Sequence, residues 1–247
     1  IDASDSILVL PETQIHLVDY CKKGTAMIWW LSVANYIRVY QDLMEENPDV
    51  YRVKGRENVV HFVQSYYAKM FVNKYFSEEE CYYLKDYIND EITEYASKNM
   101  KRYKRENVCL YNPKKGYEAL KSIIDACRKD IVWKPLSNMS PTQMAEAMCK
   151  AKVYVDFGNH PGKDRIPRES AICGCCILTN REGSAANTED VAILEQYKIE
   201  DTSEISVVLE KIYDLVDRYE ERIEDYAFYR DKIHGEKAEF LYEVEAT

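Results

Sequence analysis

The chain has 247 residues, of which 46% are hydrophobic and 31% charged, and its formal net charge is −10. This is an ordinary globular mixture with room for two small domains, and so acidic a chain lacks the excess of Lys and Arg that a nucleic-acid surface needs. No apolar run approaches the roughly 20 residues that span a bilayer and no secretory signal is visible, so a cytoplasmic protein is expected.

The N-terminal part reads as strands at Ile7 to Leu10, Met27 to Leu31 and Val59 to Val63. The last two are followed by helical stretches around Tyr36 to Leu43 and Tyr66 to Phe71. The chain opens at Ile1 almost directly on a strand, so residues 1–104 are expected to form an incomplete, truncated Rossmann-like domain. The charged stretch Lys98 to Arg105 reads either as an interdomain linker or as a solvated helix end.

From Asn107 onward strand and helix alternate with short connections, the signature of βαβ units and a parallel sheet. Strands are expected at Val108 to Tyr111, Ile131 to Trp133, Val153 to Phe157, Cys176 to Thr179 and Val191 to Ile193. A helix over Tyr117 to Arg128 places Leu120, Ile123, Ile124 and Cys127 on one face. A second starts at Ser140, with Pro141 at its first position and Gln143 completing a capping box. A third, Pro167 to Cys173, is closed by Gly174.

This domain is expected to span 105–215, followed by helices over Ile205 to Asp217 and Tyr219 to Glu236. The second of these carries an apolar stripe at Tyr219, Ile223, Tyr226 and Tyr229. The eight cysteines have no disulfide-framework spacing and fall in apolar runs, which predicts buried reduced thiols. The trio Cys173, Cys175 and Cys176 lacks a second CxxC or a His pair, so no metal is expected.

In an open parallel sheet, ligands bind outside the carboxyl ends of the strands, and three loops there carry unusual residues. The first, Tyr111 to Gly116, brings Lys114, Lys115 and Gly116 to a helix N-terminus, where unpaired amides and a cation suit phosphate. The second, Asp156 to Glu169, groups Lys163, Arg165 and Arg168 with Gly158 and Gly162 in an otherwise acidic chain, a local field that implies an anion. Its His160 reads as a general acid or base or as a packed loop histidine. Glu169, in the first helical turn, can cap the helix or accept hydrogen bonds from a ribose diol. The third, Thr179 to Asn187, offers close backbone approach at Gly183 and Ser184 and a cation at Arg181. No GxGxxG opens any helix, which excludes a Rossmann oxidoreductase.

Over Asn107 to about Asp201 the sequence resembles the nucleotide-sugar-binding domain of bacterial glycosyltransferases of fold B, the retaining, group 1, family 4-like enzymes of polysaccharide and glycolipid synthesis. The residues that carry the likeness are Lys115-Gly116 and the run from Val153 through Pro167, Glu169 and Gly174 to Thr179. The resemblance implies two Rossmann-like domains facing a cleft, with 216–247 crossing back to the N-terminal one. It further implies a metal-independent, hexosyltransferase-type enzyme without a cofactor, the nucleotide sugar being a substrate. It implies, too, a glycan or lipid-linked acceptor and a peripheral contact with the inner face of the membrane.

On this match Lys115 and Arg165, helped by Lys163, meet the charge of the departing diphosphate, while Glu169 holds the ribose. The family's first glutamate falls at Pro161, so Asp164 or the amides of Gly162 and Lys163 would supply its contact to the sugar. Lys114 stands in for a missing arginine, Gly116 and Ser184 give backbone approach, and the segment Trp133 to Asn138 lies near the base. The alternative is a degenerate, non-catalytic module that binds a nucleotide or glycan.

Overall fold

The computed structural model describes residues 2–46, 53, 55–76 and 81–246. The chain divides into two compact units, one comprising Ile1–Asp86, Pro161–Lys163 and Ala238–Thr247, the other Tyr87–His160 and Asp164–Lys237. Each has its own hydrophobic core.

The first unit is built on four parallel strands in the order β1 (Ile7–Pro11), β2 (Thr25–Trp30), β3 (Val59–Val63) and β4 (Cys81–Tyr83). In β2 the alternate residues Ala26, Ile28 and Trp30 are fully buried, the period of two expected of a strand with one face in the core. Against that face pack the 3-10 segment Glu12–Tyr20 and the helices α1 (Val33–Glu46) and α2 (Tyr66–Tyr75). The Ser65 side chain accepts from the Ala68 amide and so caps α2. Trp30 is the centre of this core, and its indole N–H donates to His61 Nδ1 at 2.9 Å. Burial lowers the His61 pKa to about 4, so the ring is neutral and able to accept.

The second unit begins with α3 (Asp90–Asn99). Five parallel strands follow, β5 (Glu106–Tyr111), β6 (Val132–Pro135), β7 (Ala151–Asp156), β8 (Cys176–Asn180) and β9 (Lys198–Ile199), in the sheet order β6-β5-β7-β8-β9. The connections are α4 (Tyr117–Ala126), α5 (Pro141–Lys150) and α6 (Arg165–Ile172), and α7 (Ile205–Asp217), α8 (Tyr219–Arg222) and α9 (Ala227–Glu245) complete the chain. Strand order reverses at β5, so the carboxyl ends of β5 and β7 flank the switch point of the sheet. β8 is buried along its whole length, as a central parallel strand covered on both faces must be.

The expected capping box on α5 is present: the Ser140 hydroxyl accepts from the Gln143 amide and the Gln143 side chain accepts from the Ser140 amide. Gly174 closes α6 with φ +88. All eight cysteines are free thiols, seven of them buried. Among the described residues no helix is long and apolar enough to cross a membrane.

The structure departs from the sequence expectations in several places. Val191 to Ile193 is buried but irregular, and the edge strand is instead Lys198–Ile199; three apolar residues cannot by themselves distinguish a strand from a buried coil. The Tyr219 to Glu236 helix is interrupted by a 3-10 turn at Ile223–Tyr226. Of the Lys98 to Arg105 stretch, Lys98 and Asn99 end α3, and the units divide earlier, between Asp86 and Tyr87, because Ile92 and Ala96 of α3 belong to the second core. Of the segment 216–247, expected to cross back to the N-terminal part, Ala238–Thr247 group with the first unit.

Candidate functional site

Three loops at the carboxyl edge of β5, β7 and β8 interlock through their glycines. In the first, the Asn112 side chain accepts from the Lys114 amide in an Asx turn and the Lys115 amide donates to the Asn112 carbonyl. Gly116 then caps α4 at φ +64, with its Cα so close to the Phe157 carbonyl that an added Cβ would lie 2.4 Å from that oxygen. Only glycine combines that left-handed backbone with that approach. In the second loop the Asp156 carboxylate accepts from the Tyr154 hydroxyl at 2.8 Å and from the Gly158 amide at 3.2 Å, while Gly158 faces the Lys115 side chain. In the third, Gly183 at φ +55 abuts the His160 carbonyl, which accepts from the Ser184 amide at 2.9 Å.

The loops hold a chain of alternating charges. Lys115 Nζ donates to Asp164 Oδ2 at 2.8 Å, and His160 Nδ1 lies 3.0 Å from the same oxygen, an ionic contact rather than a well-directed hydrogen bond. The other ring nitrogen, Nε2, is 3.4 Å from the Asp156 carbonyl oxygen and 3.8 Å from Asp156 Oδ1. Burial disfavours a charge on either Asp164 or His160. The two nonetheless win over it: contact with His160 and Lys115 lowers the Asp164 pKa, and the Asp164 and Asp156 carboxylates raise that of His160. Asp156, His160 and Asp164 have ligand-type atoms within 4.8 Å of one another, but the Lys115 ammonium sits on this group, and the arrangement suits an ion-pair chain.

On α6, Arg165 is exposed and its Nε is 3.5 Å from Glu169 Oε1. Glu169 itself is buried, its Oε2 has no hydrogen-bond partner, and burial raises its pKa despite the Arg165 and Arg168 charges. The structure thus brings together Lys115, Gly116, Asp164 and Ser184 in one interlocked edge, and Arg165 with Glu169 on the helix that Asp164 begins.

Other residues singled out from the sequence lie elsewhere. Gly162 and Lys163 belong to the first unit, where Gly162 abuts the Leu31 carbonyl and the Lys163 ammonium donates to the Asp86 carbonyl at 3.2 Å. Asn138, at φ +54, lines a cavity of about 340 Å³ with Lys134, Ser137, Gln143, Glu146 and Lys150. Lys114 is exposed. Arg168, grouped with the loop cations by sequence, is instead fully buried and donates to Glu236 Oε2 at 2.7 Å. Arg181 pairs with Glu195 and Glu200.

Sequence reasoning missed the Lys115–Asp164 and Arg168–Glu236 pairs. Their partners are separated by 49 and 68 positions, and no local pattern announces them.

No family model matches the chain, and no curated protein matches it. Solved structures do. HepE of Anabaena, determined in complex with UDP-glucose, superposes with a TM-score of 0.71 at 8% identity, covering 96% of this chain and 78% of that one. TarM gives 0.67 at 10% identity over 100% of this chain, which spans only 55% of TarM. WaaG, described as a glycosyltransferase involved in lipopolysaccharide biosynthesis, gives 0.56 at 12% identity, covering 92% and 79%. At such identities the likeness is one of fold, the α/β fold with parallel sheets called B among glycosyltransferases.

Proposed function

We propose that the second unit binds the diphosphate of a nucleotide-sugar donor and that the protein is a glycosyltransferase passing the sugar to a glycan or lipid-linked acceptor. The observation that carries this reading is the set of groups at one sheet edge: Lys115 next to the N-terminus of α4, Arg165 at that of α6, and a buried Glu169 oxygen lacking a donor. Helix amides and adjacent cations stabilise the negative charge that develops on a departing diphosphate without a metal ion. Lys115 and Arg165 take that role here, with Lys114 as an outlying cation and the backbone at Gly116 and Ser184 close to the phosphates. Glu169 Oε2 accepts from the ribose hydroxyls, and Asn138 lies toward the base. Asp164 provides the sugar contact for which Pro161 offers no carboxylate.

The UDP-glucose bound to HepE and the glycosyltransferase description of WaaG support this class of substrate and reaction. The reading extends to a retaining hexosyltransferase of bacterial polysaccharide or cell-surface glycan synthesis, working at the cytoplasmic face of the membrane. A thermal-shift screen of UDP, GDP, ADP and TDP and their glucose conjugates tests the donor site, because a ligand of the native state raises its melting temperature with occupancy. No shift with any of them would remove the donor site. Binding without transfer from a radiolabelled sugar nucleotide would assign the chain to a non-catalytic binding module.

A further inference from the structure

We propose that His160 is a positioning residue that couples donor binding to proton uptake: once a sugar diphosphate draws Lys115 off Asp164, the protonated imidazole is the cation that remains to hold that carboxylate. This rests on the reading of the sheet edge as a diphosphate site.

The geometry is one of competition for a single oxygen. Lys115 Nζ and His160 Nδ1 both approach Asp164 Oδ2, at 2.8 and 3.0 Å. The side chain of Lys115 is 29% exposed and that of His160 is 0% exposed, so Lys115 is the partner that can turn to an incoming anion and His160 is the one that cannot leave. Three titratable groups face the imidazole: Asp156 from β7, Asp164 at the start of α6 and Lys115 from the loop before α4. The Gly183–Ser184 turn meets only its backbone carbonyl.

Both carboxylates favour the imidazolium, whereas burial and the Lys115 charge oppose it. Moving Lys115 onto a phosphate removes one opposing charge and leaves Asp164 to His160 alone, so the proton is held more tightly in the bound state. The sign follows from linkage. The free-state pKa already lies above the ordinary 6.5 and the bound-state pKa lies higher still, so affinity is greatest below the first. It falls as pH rises through the window between the two values, toward about tenfold per pH unit for a full proton.

The test is calorimetric titration of UDP-glucose into the full chain from about pH 6.5 to 8.5, in two buffers of different ionisation enthalpy, which counts the protons exchanged. A sugar-linked diphosphate has no ionisation in that range, so any proton taken up enters the protein. The wild type is expected to take up a fraction of a proton and to bind more weakly as pH rises. H160Q, which removes the titrating ring, is expected to bind with no proton uptake and with a flat pH profile, and D164N, which removes one of the two carboxylates that favour the imidazolium, is expected to take up less than the wild type. A histidine that merely packed would change affinity in H160Q but leave the proton count intact, which would overturn the proposal. Wild-type binding without proton exchange would overturn it too while leaving the donor site standing, and no binding at any pH would remove both.

Discussion

Lys115 and Arg165 are each neutralised in the structure by an acid of the same site, Asp164 and Glu169 respectively. A ligand must exchange these contacts for its own, so the cations are held in place before it arrives. A charge-assisted hydrogen bond is worth about 1.5 to 3 kcal/mol, so Lys115→Ala should weaken UDP-glucose binding by roughly one to two decades in a titration, with the fold intact by circular dichroism. The pair Arg168–Glu236 calls for a different expectation. Both groups are almost fully excluded from water, so Glu236→Ala strips a buried guanidinium of its carboxylate and should cost about 3 to 5 kcal/mol in denaturant unfolding. Replacing both by Met and Leu should cost less, since no buried charge then loses its partner. Neither pair could be read from the sequence, where the arginine looked like one more loop cation: burial and partner are properties of folded position.

At the scale of elements, the capping box at Ser140, the stop at Gly174 and the limits of Val59–Val63 and Ile205–Asp217 were all legible, because each is written in neighbouring residues. The interlock of the three loops was not. Gly116 could be noted as a glycine beside lysines, but that its Cα would press on the Phe157 carbonyl depends on β5 and β7 lying side by side. Gly116→Ala would add both a clash with rigid backbone and strain at φ +64, and should destabilise the second unit by more than about 1 kcal/mol. Gly235 is the contrast: it is exposed within α9 with no atom near an added Cβ, so Gly235→Ala should stabilise by about 0.4 to 1 kcal/mol. Thermal unfolding of the two variants side by side tests the opposite signs.

For the whole molecule, the chain leaves the second unit for Pro161–Lys163 and returns, so a single loop contributes residues to both units. Amide exchange with and without UDP-glucose should show new protection in the second unit at 112–116, 156–160 and 183–187, with α7, remote from those loops in sequence, unchanged; uniform protection across the chain would point away from a localised donor site. The sequence by itself determined the α/β class, the parallel strands and the loops worth inspecting, because hydrophobic period, caps and turn glycines are local and survive reading one residue at a time. Only the tertiary structure decided which charges meet. It moved Lys163 to the first unit, buried Arg168 against Glu236, and put Lys115 and His160 on one oxygen of Asp164, since Coulomb partners and desolvation are set by distances across the fold and not along the chain.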